Sequence, residues 1–490
     1  MERTEVVDQA YRSVKWSALA SVLPRFITPV STMILAGLLT PSDFGIVAVA
    51  MLVVALAQVV VGLGMGTAVV QRQTAVEEAA SIAFGLSVAM AVLLYGALWW
   101  LSPVIANFYQ IPALVNVIRV AGLTLFLSAL VSIPTALLQR RLDFRLLFWI
   151  GAVPQIVTAI VSVAFALMGG GYWALVIGQL VGLAINVLLV WRASAWRPRR
   201  VFDGALVRSL LVFGLWIMAS SFQSWLFLYG DNAIAGYFFG AQGLGVYALG
   251  FNIASLLPGM IVAPLAAIAY PAFSALQKDP YEVGQDLLKL QRLVAAILFP
   301  ACFGMAALAT PAVTLLYGDK WSGLGWTLGL LAIMPGAVTL WSLNADAYRA
   351  VGRPDVWTKL AVVAALILFP LLFFSGRFDY MLFVVARFAG ALVLPLLNLW
   401  AATHILRVSV AEQWLSWRAP ALCAIAMFAA VTALGYYMTS LTGVLGWTEL
   451  LLMTGVGVAI YAGGLRLIDR LLFGELVYTL GRLGLAQRSR

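Results

Sequence analysis

The sequence predicts an all-α, polytopic membrane protein with about 14 transmembrane helices, built as two six-helix lobes in parallel repeat plus two C-terminal helices. Three observations support this prediction. The composition is far more apolar than that of a soluble domain. Apolar runs of membrane-spanning length recur along the chain, and the basic residues are concentrated in every second connection between those runs.

The composition excludes an ordinary soluble protein. Of the 490 residues, 63% are hydrophobic and only 10% are charged, whereas roughly a quarter of the residues in soluble domains are charged. The first 15 residues are polar and of mixed charge, and a long apolar run begins at Trp16. This run is longer than the apolar core of a cleaved secretory signal, so we interpret it as a retained first span.

Charged residues, prolines and glycines separate the apolar runs and define the predicted spans. The first half of the chain provides spans at residues 16–39, 43–70, 80–101, 114–138, 146–168 and 172–191. The second half provides spans at residues 206–239, 243–275, 289–309, 323–346, 356–374, 380–404, 418–440 and 446–468.

The distribution of Lys and Arg tests this topology independently, because these residues accumulate in cytoplasmic loops. If the N-terminus is cytoplasmic, all but five of the 30 basic residues fall on the cytoplasmic side. Lys320 and Arg377 fall outside, while Arg25, Arg119 and Arg387 fall within spans. Both termini are therefore expected in the cytoplasm. Attraction of the basic loops to an anionic leaflet explains the net charge of +10, so no nucleic-acid partner is expected.

Three short motifs occur once in each half of the chain and in the same order. The pairs are Thr40–Gly45 with Gly240–Gly245, Ser102–Tyr109 with Thr310–Tyr317, and Arg141–Phe144 with Arg353–Val356. Each pair falls at equivalent positions in a set of six spans, so the two halves should share one orientation, with an axis along the membrane normal. Gly45 and Gly245 are expected to permit a tight helix start, and Ser42 and Asp43 to cap it.

The repeat predicts the domain boundaries. They are an N-terminal six-helix lobe at 1–191, a basic cytoplasmic linker at 192–205, a C-terminal six-helix lobe at 206–404, and a segment at 405–490 with two additional transmembrane helices and a cytoplasmic tail.

Five segments follow one another in a characteristic order: LLTPSDFGIVAVA, GLGMGTAVVQRQ, PTALLQRRLDFR, YGDNAIAGYFFGAQGLGVYALG and RAVGRPD. In this order they resemble the polysaccharide transporter family of the MOP superfamily, especially its Wzx-type flippases. The resemblance implies two six-helix lobes forming a V, as in MATE exporters and the MurJ lipid flippase. The sequence departs from the family at Gly37 and Tyr237, where many members carry a basic residue.

The resemblance also implies a function. It implies translocation of undecaprenyl-pyrophosphate-linked oligosaccharide repeat units across the bacterial inner membrane for surface polysaccharide and exopolysaccharide biosynthesis, by alternating access. The partners would be this lipid-linked oligosaccharide and membrane lipid, with a polysaccharide polymerase and a chain-length regulator as candidate protein partners. No enzymatic activity, cofactor or metal is expected. Cys302 and Cys423, the only cysteines, lack the spacing of a metal site or a disulfide framework.

Charged residues inside spans are candidates for the substrate site, because charge in a bilayer is costly and usually faces a cavity. We expect Arg25, Arg387 and Arg119 to contact the headgroup, since a guanidinium offers several donors to pyrophosphate oxygens. Arg119 alternatively snorkels towards the outer surface. Asp231 is a candidate ion- or proton-coupling site, with the partner of an intramembrane arginine as the alternative.

Uncharged polar and aromatic residues in the spans are candidates for binding sugars, which need many hydrogen bonds and few charges. We select Asn232 together with Trp225 and Tyr229, whose rings could stack on a sugar. Hydrogen bonds between helices are the alternative explanation for every such polar residue. The other members of the set are Gln58, Gln155, Gln179, Asn186, Gln223, Asn252, Asn344 and Asn398.

Two other classes of function remain open. The first is a MATE-type, ion-coupled multidrug exporter, which would use intramembrane carboxylates to bind cations, whereas this sequence has more intramembrane arginine. The second is a membrane polysaccharide polymerase or glycosyltransferase, which would need a larger loop or soluble domain. The sequence contains no Asp-x-Asp motif and no G-x-x-x-x-G-K-[ST] phosphate loop.

Replacement of Arg25 tests its expected headgroup contact. Arg25→Ala should abolish polysaccharide export while leaving the amount of protein in the membrane unchanged, as measured by surface polymer and immunoblot. Arg25→Lys keeps the charge but loses the planar donor fork. Normal export by Arg25→Ala would exclude the headgroup role.

Overall fold

The computed structural model of the chain describes residues 27–141, 144–201, 203–275, 279–442 and 446–485. Within these ranges every regular element is a helix, which confirms the predicted fold class. The described residues fall into two compact units that divide between Ala248 and Leu249. The boundaries of the lobes and linker deduced from the internal repeat stay a prediction.

The first unit contains helices α1 to α8 and most of the long helix α9. Their bounds are α1 Ile27–Leu38, α2 Pro41–Gly62, α3 Met65–Gln71, α4 Val76–Tyr109, α5 Leu114–Ala121, α6 Thr124–Arg140, α7 Phe144–Leu167, α8 Trp173–Ala193 and α9 Gly204–Ala275.

The second unit contains the end of α9 and the remaining helices. Their bounds are α10 Pro280–Tyr317, α11 Leu324–Ser342, α12 Asn344–Ala350, α13 Asp355–Gly376, α14 Tyr380–Ala391, α15 Val393–Ile405, α16 Val410–Thr442, α17 Trp447–Ile468 and α18 Arg470–Leu485, with a 3₁₀ turn at Gly318–Trp321.

Twelve segments of the described chain are long and apolar enough to cross a bilayer. They correspond in order to the predicted spans after the first, because the 57-residue segment Gly204–Met260 takes up two predictions. A straight helix of that length would measure about 85 Å, nearly three times the hydrocarbon thickness of about 30 Å. Helix α1 is the described part of the first predicted span.

The two spans within α9 are separated at a single residue. Gly240 has φ 61° and ψ −163°, a conformation that is essentially restricted to glycine. We call residues 204–239 the first arm of α9 and residues 241–275 the second arm. The repeat motif Gly240–Gly245 therefore begins at the turn between two spans, as its counterpart near Thr40 predicts.

The counterpart turn is held by one carboxylate. Thr40 is the N-cap of α2, and it exchanges hydrogen bonds with Asp43: the Asp43 backbone N–H donates to Thr40 Oγ1 at 3.2 Å, and the Thr40 N–H donates to Asp43 Oδ2 at 2.9 Å. Asp43 Oδ1 also accepts the backbone N–H of Tyr172, just before α8, at 3.0 Å. Asp43 thus contributes to the cap as predicted, but the capping residue is Thr40 rather than Ser42.

The two repeat-related glycines mark a contact between backbones. A Cβ on Gly45 would lie 1.7 Å from the carbonyl oxygen of Ala241, and a Cβ on Gly245 would lie 1.8 Å from that of Pro41. Both distances are far inside van der Waals contact, so no side chain fits at either position. The start of α2 and the start of the second arm of α9 therefore cross with their backbones touching, each through its own copy of the repeated glycine.

Gly245→Ala tests this crossing. The added methyl group would push the two helix starts apart, and overpacking of this kind costs about 1–3 kcal/mol. We expect a lower melting temperature of the purified protein in detergent. Gly85→Ala is the matched control, because a Cβ on Gly85 in α4 would meet nothing within 4 Å. Equal melting temperatures for the two variants would contradict the close approach.

Candidate substrate site

The sequence predicts three intramembrane arginines as headgroup contacts, and the structure describes two of them. Arg25 lies outside the described residues, so its role stays a prediction. Arg387 lies in the second unit and Arg119 in the first.

Arg387 is a buried cation in the middle of an apolar segment. It lies in α14 with only 6% of its surface exposed. Its Nη1 lies 3.2 Å from the sulfur of Met334, and its guanidinium carbon lies 5.7 Å from the ring centroid of Phe251. Thioether and aromatic groups are weak partners for a guanidinium. The two contacts pack Arg387 of α14 against α11 and against the second arm of α9.

Arg119 has firmer partners near the predicted outer end of its span. Its Nε donates a 3.1 Å hydrogen bond to the hydroxyl of Ser102, which is fully buried in α4. Its guanidinium carbon lies 4.4 Å from the ring centroid of Trp99. These contacts connect α5 to α4, so Arg119 has a structural role that does not require a ligand. A role in headgroup binding stays a prediction.

Asp231 and Tyr247 form a buried pair across the turn in α9. The Tyr247 hydroxyl donates to Asp231 Oδ2 at 2.6 Å, and the Asn232 backbone N–H donates to Asp231 Oδ1 at 2.8 Å. Asp231 is 2% exposed and Tyr247 is fully buried. In a straight helix residues 16 positions apart would be separated by about 24 Å, so this bond shows that the start of the second arm, up to Tyr247, lies beside the end of the first arm.

Tyr247 was not selected by the sequence analysis, although a signal for it exists. Asp231 precedes Gly240 by nine residues and Tyr247 follows it by seven. Once Gly240 is taken as a hairpin turn, the two residues lie at nearly the same depth on neighbouring arms. A hydroxyl at the level of a buried carboxylate is then a candidate donor.

The three residues selected for sugar binding lie along the first arm of α9. Trp225 donates its indole N–H to the carbonyl of Leu52 in α2 at 3.1 Å, and its ring centroid lies 6.4 Å from that of Tyr229. Asn232 is buried, and its side-chain oxygen makes no hydrogen bond with the described residues. The indole N–H is thus used in packing, whereas the aromatic rings and the Asn232 oxygen could contact a ligand.

A pocket lined by hydroxyl groups lies in the same unit and was missed by the sequence analysis. Its volume is about 420 Å³, and we call it the hydroxyl pocket. Its lining includes no charged residue among those described: Gly66, Thr67, Val70, Ser128, Val131, Ser132, Thr135, Ala136, Gln139 and Leu183.

The polar groups of the hydroxyl pocket are largely unused. Ser128 donates to the Thr124 carbonyl of its own helix at 2.8 Å. Within the described part of the chain, Thr67, Ser132, Thr135 and Gln139 make no side-chain hydrogen bond, and the Thr135 hydroxyl oxygen is buried. Unsatisfied polar groups are costly in an apolar environment. Water, or a ligand that carries several hydroxyls, would supply the missing hydrogen bonds.

Polar residues of the second unit, by contrast, satisfy one another. Gln291 Nε2 donates to Asn344 Oδ1 at 2.8 Å, and the Tyr348 hydroxyl lies 3.3 Å from Asn398 Oδ1. Asn398 Nδ2 in turn donates to the Leu394 carbonyl at 2.9 Å. These buried amides connect α10, α12 and α15. For Asn344 and Asn398 the alternative reading, hydrogen bonding between helices, is therefore the one the structure supports.

The described residues include no group of three or more His, Cys, Asp or Glu side chains that could hold a metal ion. Cys302 and Cys423 are both buried as free thiols.

Comparisons with known proteins identify relatives along most of the chain. A family model described as "Polysaccharide biosynthesis protein" matches residues 34–324. The succinoglycan biosynthesis transport protein ExoT of Rhizobium meliloti (strain 1021) is 27% identical, covering 72% of each chain. The teichuronic acid biosynthesis protein TuaB of Bacillus subtilis (strain 168) is 26% identical over 86% of this chain and 88% of that protein. The lipopolysaccharide biosynthesis protein WzxC of Escherichia coli (strain K12) is 25% identical over 76% of each.

Two solved structures share the fold. The lipid II flippase MurJ in an inward closed conformation superimposes with a TM-score of 0.74, at 12% identity, over 93% of this chain and 98% of that one. An inward-facing MATE family multidrug resistance transporter of the MOP superfamily gives a TM-score of 0.61, at 14% identity, over 80% and 99%.

Tyr247→Phe tests the pair across the turn in α9. It removes the hydroxyl donor and leaves the Asp231 oxygen without that partner, which should lower the free energy of unfolding by about 1–3 kcal/mol. The measurement is thermal unfolding of the purified protein. Tyr237→Phe is the control, because the exposed Tyr237 ring stacks on Phe108 and makes no hydrogen bond with the described residues. If both variants unfold at the same temperature as the parent, the bond contributes nothing.

Proposed function

Because the chain belongs to the polysaccharide biosynthesis protein family, we propose that it is a flippase for lipid-linked oligosaccharides. In this proposal it moves undecaprenyl-pyrophosphate-linked repeat units across the bacterial inner membrane by alternating access, for assembly of a surface polysaccharide. The observation that carries the proposal is the family match, which covers residues 34–324. Relatives named for succinoglycan transport and for lipopolysaccharide biosynthesis support it.

The proposed headgroup chemistry rests on the intramembrane arginines. A pyrophosphate carries several negative charges, and the guanidinium of Arg387, which is buried in an apolar span, offers several donors to pyrophosphate oxygens. We propose Arg387 as a headgroup contact on this ground, together with Arg25. Arg119, which already binds Ser102 and Trp99, would contribute through the electrostatic field.

The glycan would be bound by uncharged groups. The hydroxyl pocket offers hydroxyls and an amide, and its described lining carries no charge, which suits the many hydroxyls of a sugar. The rings of Trp225 and Tyr229 add aromatic faces, and Asn232 adds a carbonyl oxygen that makes no hydrogen bond within the described part of the chain. The polyprenyl tail would remain in the surrounding lipid.

Asp231 is the proposed coupling residue. A charged carboxylate accepts stronger hydrogen bonds than a neutral carboxyl group. Protonation of Asp231 would therefore weaken the bond from Tyr247, which joins the two arms of α9. An ion or proton gradient could act on the transport cycle through this pair.

The location follows from the spans and the basic loops. The protein is a multi-pass membrane protein. We propose that both termini are cytoplasmic, because this orientation places the basic loops on the cytoplasmic side. A polymerase and a chain-length regulator that act on the translocated units are the proposed protein partners.

The second candidate function is ion-coupled drug export. The buried carboxylate of Asp231 and the fold shared with a MATE family transporter favour it. The buried Arg387 opposes it, because an organic cation would be repelled by this charge.

The proposal is tested by deleting the gene and restoring it with variants. Deletion should abolish surface polysaccharide and trap intact lipid-linked repeat units on the cytoplasmic face. Arg387→Gln should reduce export at least about tenfold, because a charge-assisted hydrogen bond contributes about 1.5–3 kcal/mol. Arg377→Gln is the control, since this exposed arginine packs on Phe373 at the end of α13.

Two outcomes would contradict the proposal. The first is normal polysaccharide in the deletion strain combined with greater sensitivity to cationic drugs, which would establish the exporter instead. The second is equal export by Arg387→Gln and Arg377→Gln, which would remove Arg387 from the site.

A further inference from the structure

A second pocket lies at the ends of three helices in the second unit, outside the residues discussed above. It has a volume of about 380 Å³ and is formed by the first turns of α10 and α16 and the end of α17. Its charged side chains are Lys289, Arg292, Arg418, Glu412 and Asp469. We call it the interfacial pocket.

Glu412 is fully used as an acceptor. One of its oxygens accepts the backbone N–H and the hydroxyl of Ser409, at 2.7 Å each. The other accepts the amide of Gln285 at 3.0 Å and the hydroxyl of Tyr281 at 3.4 Å. A carboxylate has about four acceptor positions, so Glu412 has none left for a cationic ligand. Its role is to cap α16 and to join it to α10.

Asp469 is occupied in the same way. Both of its oxygens lie 2.7 Å from Arg292 Nη2, and Oδ1 also accepts the backbone N–H of Leu472 at 3.1 Å. This carboxylate therefore holds α10 against the junction of α17 and α18. The pocket keeps little capacity to accept hydrogen bonds.

Two basic side chains of the interfacial pocket, however, have hydrogen-bond donors that the described residues do not use. Arg418 is exposed and makes no hydrogen bond or ion pair with the residues that the structure describes. Among the described residues Lys289 bonds only to Asp286, at 2.7 Å, and an ammonium group has three donors. A ligand that matches unused donors beside saturated acceptors is an anion rich in oxygen, such as a phosphate.

The surroundings of the pocket indicate the depth of lipid headgroups. Tyr281 and Trp414 flank it with exposed rings, and aromatic residues of this kind are enriched where membrane meets water. Helix α18 begins beside it with the basic Arg470 and the exposed Leu471, a combination typical of helices that lie in the interface. Apolar residues, including Leu415 and Ile468, complete the wall.

We propose that the interfacial pocket binds the headgroup of an anionic phospholipid from the adjacent leaflet. The phosphate is held by Arg418 and Lys289, and the acyl chains follow the apolar wall at Leu415 and Ile468. Basic pockets between transmembrane helices bind anionic headgroups by this mechanism. The site is independent of the proposed transport function, because it uses none of the residues assigned to the substrate.

The test is a titration of the purified full-length protein in detergent with phosphatidylglycerol or phosphatidylcholine, followed by native mass spectrometry. Phosphatidylglycerol should bind in preference. Arg418→Gln and Lys289→Gln should each weaken phosphatidylglycerol binding about fivefold, as expected for the loss of one basic residue near a lipid surface. Phosphatidylcholine binding should change much less. The melting temperature without added lipid should be unchanged for Arg418→Gln, because Arg418 makes no hydrogen bond or ion pair with the described residues.

Arg377→Gln is the matched control, since it removes one exposed arginine at the C-terminal end of α13, which does not line the interfacial pocket. It should bind phosphatidylglycerol as the parent does. Equal weakening by Arg377→Gln would show a general charge effect and overturn the site. Equal affinity of the parent for both lipids would also overturn it. If inorganic phosphate or glycerophosphate at millimolar concentration protects the parent from unfolding as well as phosphatidylglycerol does, the pocket binds a free phosphate and the lipid proposal is wrong.

Discussion

The hydrocarbon of a bilayer contains no partner for a backbone N–H or C=O, so every spanning segment must satisfy these groups internally. The interruptions of the helices show how this requirement is met. The chain turns at Gly240 within a single residue, so very few backbone groups lose their helical partners. Between α2 and α3 it passes through left-handed Leu63 and Gly64, again over two residues. Breaks this short change the direction of a span without leaving a length of unpaired backbone in lipid.

The bilayer also determines how the helices associate with one another. In lipid, apolar side chains gain little by leaving their surroundings, so helices associate through close packing and through hydrogen bonds. The first unit uses both. Gly45 and Gly245 let two helix starts touch, and Tyr247 joins the arms of α9 through Asp231. The second unit depends more on buried amides, with Gln291, Asn344 and Asn398 connecting three helices around Tyr348.

The spans could be predicted from the sequence because the thickness of the bilayer sets the length of the apolar runs, and because basic residues accumulate in the cytoplasmic loops between them. Gly240 was also visible, as the glycine that begins the second copy of a turn. The hydroxyl pocket was not, because a serine or threonine in an apolar run can bond to its own helix, as Ser128 does, and the pattern alone does not distinguish that case from Thr135. The partners of Arg119 could not be predicted from the sequence either. Ser102 and Trp99 lie on a different helix, and their approach depends on packing rather than on local sequence.

The carboxylate of Asp43 has a mechanical consequence. One of its oxygens fixes the first turn of α2, and the other holds the backbone just before α8. Helix α8 packs along α7 as a hairpin. A tilt at the start of α2 would therefore stretch or break the hydrogen bond from Tyr172, unless the α7–α8 hairpin moved with α2. Through this single side chain, the movement of α2 is coupled to a hairpin about 130 residues away in the sequence.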